Sequence, residues 1–321
     1  MSPSNRSRAG VAGDWAEAQM RFRPRVNTPE LKMKPDSTVK PLQNIHLITM
    51  AINVPGPVAA YRLHQLGAIV TKIEPLSGDP LERSSPAWYR LLAEGQQVLR
   101  LDLKSTEGRA TLGGLLAESD VFLTSHRPSA LQRLSLDWQA NHQNYPRLSQ
   151  VDIIGFPGDQ DHAPGHDLTY LAKLGLLAPP HMPLTLLGDI ASSERTVSSV
   201  LGLLFHRARH GSVGHERVSI YEAAELYAAP LQFGVTAPSG PLGGALPVYN
   251  MYPTQDGWVA VAALEPHFQV RLGQEMKLQP VTKEGLARAF LTRTAAEWEV
   301  WAMERDLPIA LVAPNAIGKG K

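Results

Sequence analysis

The stretch "IHLITMAINVPGPVAAYRLHQLGAIVTKIEP" (residues 45–75) decides the fold class. "IHLITM" is a short apolar run of strand length, bounded by polar residues. "PGPVAAYRLHQLG" reads as a helix, opened by proline where a missing N–H costs nothing and closed by Gly67. "AIVTKIEP" is strand-like again. Strand, helix and strand at this spacing predict parallel strands joined by a crossover helix. Outward along the chain the alternation continues: "QQVLRLDL" is a strand, and "STEGRATLGGLLAES" a helix opened by Ser105. "DVFLTS" and "LSQVDIIGF" are further strands. The expected class is α/β, a large domain built on a doubly wound, mostly parallel sheet.

Beyond residue 189, "IASSERTVSSVLGLLFHRARHG" places Val197, Val200, Leu201, Leu204 and Phe205 on one helical face. Arg207 and Arg209 suit its C-terminal end and Gly211 its stop. "VSIYEAAELYAAPLQFGV" reads as a helix running into a passage rich in proline and glycine. "VYNMYPTQDGWVAVAAL" is a hairpin turning at Asp256-Gly257. "EPHFQVRLGQEM" and "EGLARAFLTRTAAEWEVWAMERD" are amphipathic helices. The expected organisation is an N-terminal extension at 1–40, a large domain at 41–225, a linker at 226–240, and a smaller α+β domain at 241–321.

Lys plus Arg total 31 against 30 for Asp plus Glu, a formal charge of +1, which excludes a broad nucleic-acid surface. There is no cysteine, so disulfides, thiolate metal sites and cysteine nucleophiles are ruled out. That usage fits a reducing compartment, and a cytoplasmic location is expected. No apolar run approaches the roughly 18 residues of a membrane span. The N-terminus lacks the apolar core of a secretory signal.

"GDQDHAPGHDLTYLAKLG" (residues 158–175) sets His162 and His166 four apart among three aspartates. On one helix such a pair grips zinc, but Pro164 and Gly165 intervene and neither continues a helix. The helix starts near Asp167, which puts His166 at its mouth and leaves His162 on the loop; no metal site is expected. By residue type alone His166 can be a capping histidine, Asp189 a helix N-cap and Glu265 a favourable charge at a helix start. Arg127 and Arg133 can be plain surface arginines. No phosphate-binding glycine loop and no nucleophile elbow is present.

Seven signatures nevertheless occur in a familiar order: "PGPVAAYRLHQLGAIVTKIEP", "LDLKSTEGR", "DVFLTSHRPSALQRLSLD", "GHDLTYLAKLG", "LTLLGD", "VSIYEA" and "QDGWVAVAALEPHF". From about Leu42 to about Val312 the chain resembles the class III CoA-transferase family, of the formyl-CoA and carnitine CoA-transferase type, and within it the alpha-methylacyl-CoA racemase branch. The resemblance implies an acyl-CoA substrate, no cofactor beyond its CoA moiety, and an interlocked homodimer. It implies that Asp189 is the transferases' nucleophile or one of the racemases' acid/base groups. His166 would be the opposing base, Glu265 a further active-site carboxylate reaching in from the partner chain, and the Asp167 backbone N–H a donor to the thioester oxygen. Arg127 and Arg133, with Lys104 and Lys72 as lesser candidates, match positions for CoA-phosphate contacts. The function expected is racemisation or epimerisation of 2-methyl-branched acyl-CoA thioesters by two-base proton transfer. CoA transfer between carboxylic acids through an aspartyl intermediate is the alternative. The family's glycine-rich start after the aspartate is here Ile190, Ala191, Ser192 and Ser193, and members run further past "DLPIALV". These departures keep a non-catalytic CoA-binding relative as a third reading.

Overall fold

In the computed structural model, which describes residues 39–313, the deciding stretch forms β1 (His46–Thr49), α1 (Pro55–Gln65) and β2 (Ile69–Glu74). Pro55 opens α1 at its first position. Gly56 lets the helix start lie directly on the preceding loop, because a Cβ there would fall 2.0 Å from the Ala51 Cβ. Gly67 turns the chain out of α1 at φ +105°. The extension expected at 1–40 lies outside the described residues apart from residues 39 and 40.

Two short helices, α2 (Pro80–Ser84) and α3 (Pro86–Ala93), precede β3 (Gln97–Arg100). Then follow α4 (Thr106–Ala117), β4 (Val121–Thr124), α5 (Pro128–Leu134), α6 (Trp138–Asn144) and β5 (Ser149–Ile154). After β5 come α7 (Asp167–Lys173), α8 (Leu187–His210), β6 (His215–Ser219) and α9 (Ile220–Gln232). The six strands form one sheet in the order β3-β2-β1-β4-β5-β6, with every neighbouring pair parallel. One face packs Leu47, Val70, Leu123 and Val151 against Leu63 of α1 and Val197 and Val200 of α8. The other packs Ile48, Ile73 and Phe122 against Leu112 and Leu116 of α4 and Leu131 of α5. Helices on both faces make the sheet doubly wound, and its order reverses direction between β1 and β4.

The last part holds β7 (Tyr249–Pro253), β8 (Trp258–Ala262), α10 (Pro266–Met276), α11 (Lys283–Phe290), α12 (Ala295–Met303) and β9 (Ile309–Leu311). Its three strands pair antiparallel in the order β7-β8-β9. Its core is its own: Tyr252, Val259, Val261, Leu272, Leu286, Phe290, Trp298 and Trp301 are buried together.

Three expectations about single elements are corrected. The run from 218 is not all helix: Val218 and Ser219 end β6, and the Ser219 hydroxyl accepts the Glu222 N–H (3.2 Å) to start α9. That helix continues to Gln232, through Pro230 and into the stretch expected to be linker. The single helix expected over 284–306 is two, because Thr294 and Glu297 form a capping box that starts α12 afresh.

Candidate active site

In an open parallel sheet, strands deliver side chains to the crevice outside their carboxyl ends where the strand order reverses. A cavity of about 170 Å³ lies there, lined by Asn53 after β1, His126 and Arg127 after β4, Gly155 after β5, His166 and Tyr170 at the start of α7, and Asp189 at the start of α8.

Asp189 is not the helix cap. Leu186 holds the N-cap position and α8 begins at Leu187, so Asp189 lies inside the first turn. The capping is done from another helix. The Asp167 carboxylate, 4% exposed, accepts the N–H groups of Gly188 (2.7 Å) and Asp189 (3.0 Å) through Oδ1. Its Oδ2 is buried without a hydrogen-bond partner. Asp167 therefore pins α8 to the mouth of α7 and sets Asp189 against the cavity. Burial, and then the negative charge of Asp167, push the Asp189 carboxyl up to about 7.

His166 occupies the N-cap of α7. The Thr169 hydroxyl accepts the His166 backbone N–H (3.0 Å) and donates to the His166 carbonyl (2.8 Å), which leaves the imidazole to line the cavity. His162 is exposed on the loop, 3.9 Å from Asp161, and does not join it. Among the described residues no three His, Asp or Glu side chains are placed to hold a metal ion.

Of the cations expected to meet CoA phosphates, Arg127 lines the cavity at the start of α5. Arg133 and Lys104 are exposed away from it, in the last turn of α5 and before α4 respectively. Lys72 is a correction. It is 2% exposed, with Nζ held by Asp79 (2.6 Å) and Glu74 (2.9 Å), so no phosphate reaches it. Its work is structural: Asp79 also accepts the Asn53 N–H (3.0 Å), tying the loop after β1 to the buried pair. Glu265 stands exposed at the N-cap of α10 and does not line this cavity within the chain.

Two lining residues escaped the sequence reading. Tyr170 is 2% exposed, and its hydroxyl reaches the cavity because residues 155 and 165 are glycines; a Cβ at either would sit 2.6 Å from that oxygen. Burial and the Asp189 charge push its phenol up to about 12. His126 has its pKa lowered by burial. Position was the missing signal: His126 stands two residues past the end of β4, a strand whose carboxyl end faces the crevice.

The CoA-transferase family III model matches residues 42–316. The chain is 30% identical to the alpha-methylacyl-CoA racemase of Mus musculus, over 80% of this chain and 74% of that protein. It is 25% identical to the cinnamoyl-CoA:phenyllactate CoA-transferase of Clostridium sporogenes, over 83% of this chain and 77% of that one. A hypothetical protein of Mycobacterium tuberculosis has the same fold, with a TM-score of 0.75 and 23% identity over 86% of this chain and 84% of that chain. With the sheet, the crevice and the family model in agreement, the chain belongs to CoA-transferase family III, whose members include racemases and CoA-transferases acting on acyl-CoA.

Proposed function

We propose that the protein inverts the α-carbon of 2-methyl-branched acyl-CoA thioesters by two-base proton transfer. One observation carries the reading: the His166 imidazole and the Asp189 carboxyl line one small cavity, and Asp189 holds its proton up to about pH 7. Neutral His166 takes the α-proton, and the C–H electron pair moves onto the thioester oxygen. Protonated Asp189 then returns a proton to the other face, leaving imidazolium and carboxylate for the reverse cycle. The Asp167 N–H, which meets no backbone or side-chain acceptor among the described residues, is a donor for the oxygen where charge collects.

Exposed Arg127, Arg133 and Lys104 suit the CoA phosphates. The chemistry calls for no cofactor beyond the CoA moiety of the substrate. Glu265 would come from a second copy in an interlocked homodimer. Uncovered Leu226 (74% exposed), Tyr227 (51%) and Phe233 (84%), on and just beyond α9, favour such a partner. No helix among the described residues is long and apolar enough to cross a membrane. The cysteine-free composition suits the reducing cytoplasm.

A second reading has Asp189 as the nucleophile of a CoA-transferase, favoured by the relative that transfers CoA to phenyllactate. One experiment separates the two. Branched acyl-CoAs are incubated with the protein in deuterated water. Deuterium at the α-carbon without loss of CoA is the expected result, and no exchange from any branched thioester ends the racemase reading. Conversion of Asp189 to its hydroxamate by hydroxylamine, with release of CoA or the carboxylic acid and loss of turnover, supports the transferase instead. Binding of CoA with neither outcome leaves a non-catalytic relative.

A further inference from the structure

A backbone N–H from Asp167 is one donor, and an enolate oxygen is best held by more than one. Resting on the reading that an acyl-CoA thioester occupies this cavity, we propose that His126 donates its Nε2–H to the thioester oxygen.

Thr124, the last residue of β4, is 0% exposed. Its hydroxyl accepts the His126 backbone N–H (3.1 Å) and lies 3.1 Å from His126 Nδ1. A hydroxyl has one hydrogen to give. Among the described residues Nδ1 is the acceptor within its reach, so the hydroxyl donates to Nδ1 and the ring proton stands on Nε2. Nε2 has no protein partner among the described residues, yet it is not one of the sealed polar atoms, and the ring lines the cavity. Thr124 thus fixes both the tautomer and the aim of a donor that the protein itself leaves unused.

The chemistry of the donor selects its acceptor. Arg127, Asp161, His166, Tyr170 and Asp189 bring the titratable groups to this cavity. Burial keeps His126 neutral among them. A phosphate would call for a cation, which Arg127 in this cavity and Arg133 and Lys104 outside it supply and the neutral ring does not. A neutral imidazole is a very weak acid, so it can hold charge growing on a carbonyl oxygen without surrendering its proton.

The test uses ¹⁵N-histidine-labelled full-length protein with CoA and 2-methylbutanoyl-CoA as probes. The free protein is expected to show His126 as the Nε2–H tautomer at pH 7, and Thr124→Val to lose that preference. A Nδ1–H or charged ring in the wild type overturns the assignment. The thioester, and not CoA, is expected to shift the Nε2–H resonance. His126→Phe, which keeps the ring and removes the donor, is expected to cut α-proton exchange by about 10²-fold while CoA affinity holds. His126→Gln, which keeps an amide N–H near the Nε2 position, is expected to restore a large part of the rate. Thioester binding with an unmoved resonance and a fully active His126→Phe sinks the assignment alone. A thioester that does not bind at all sinks the functional reading, and this assignment with it.

Discussion

At Asp189 two effects oppose each other. A carboxylate in the first turn of a helix is favoured by the helix N-terminus, by about 0.3–1 kcal/mol. Burial and Asp167 push the other way, from 3.8 to about 7, an interval equivalent to roughly 4 kcal/mol in favour of the neutral acid. Burial wins. The folded protein therefore keeps a proton that the unfolded chain releases near 3.8, so this group's contribution to stability falls as pH rises through 3.8 to about 7 and is level above. Asp189→Asn removes the conflict: its gain in Tm over the wild type should grow across that window and then plateau, while turnover is lost. A gain independent of pH contradicts the assignment. Lys72 is the reverse case, a buried charge that is matched. Lys72→Met strands Asp79 without its cation, leaves Glu74 with Arg100 alone, and should cost about 3–5 kcal/mol in urea denaturation. His166 and Asp189 were legible because each sits in a motif of recognisable order. His126 and Tyr170 were not, because their use comes from the strand end and the two glycines that bring them to the cavity. Lys72 misled because a lysine inside a strand does not announce its burial.

The elements that were legible are those long enough for periodicity to speak, such as α1 and α8, and the apolar strands β1, β2, β4 and β5 of a sheet covered on both faces. The short proline-opened helices α2, α3 and α5 carry too few residues to show a stripe. The edge strand β6, "HERVS", is polar enough to pass for a loop. Least legible was the junction of α7 with α8, where a side chain at the start of one helix caps another 21 residues away. Asp167→Ala leaves two amides without their acceptor and should cost about 2 kcal/mol of stability. Asp167→Asn keeps a carbonyl acceptor and removes the charge. It should hold most of the stability, and Asp189, relieved of the nearby negative charge, should titrate below its wild-type value in a ¹³C-carboxyl NMR titration. An unchanged Asp189 in that variant would mean that the two carboxyls do not sense each other.

At the scale of the whole molecule, the parallel sheet and the antiparallel sheet have separate cores, and their candidate groups are divided in the same way. His166 and Asp189 stand at the crevice of the first, and Glu265 on a helix that packs with the second. The chain does not bring them to one cavity, so an interlocked dimer has a consequence that arithmetic can test. A copy carrying Asp189→Asn is co-expressed with a copy carrying Glu265→Gln, each variant alone being inactive. If every site takes Asp189 from one copy and Glu265 from the other, a mixed two-fold dimer holds one doubly substituted site and one wild-type site. Random pairing makes about half of the dimers mixed, so the preparation should recover roughly a quarter of wild-type activity. If each site draws both residues from a single chain, both sites of the mixed dimer stay defective and nothing is recovered. An active Glu265→Gln homodimer would instead remove Glu265 from the chemistry and leave the proton relay to His166 and Asp189.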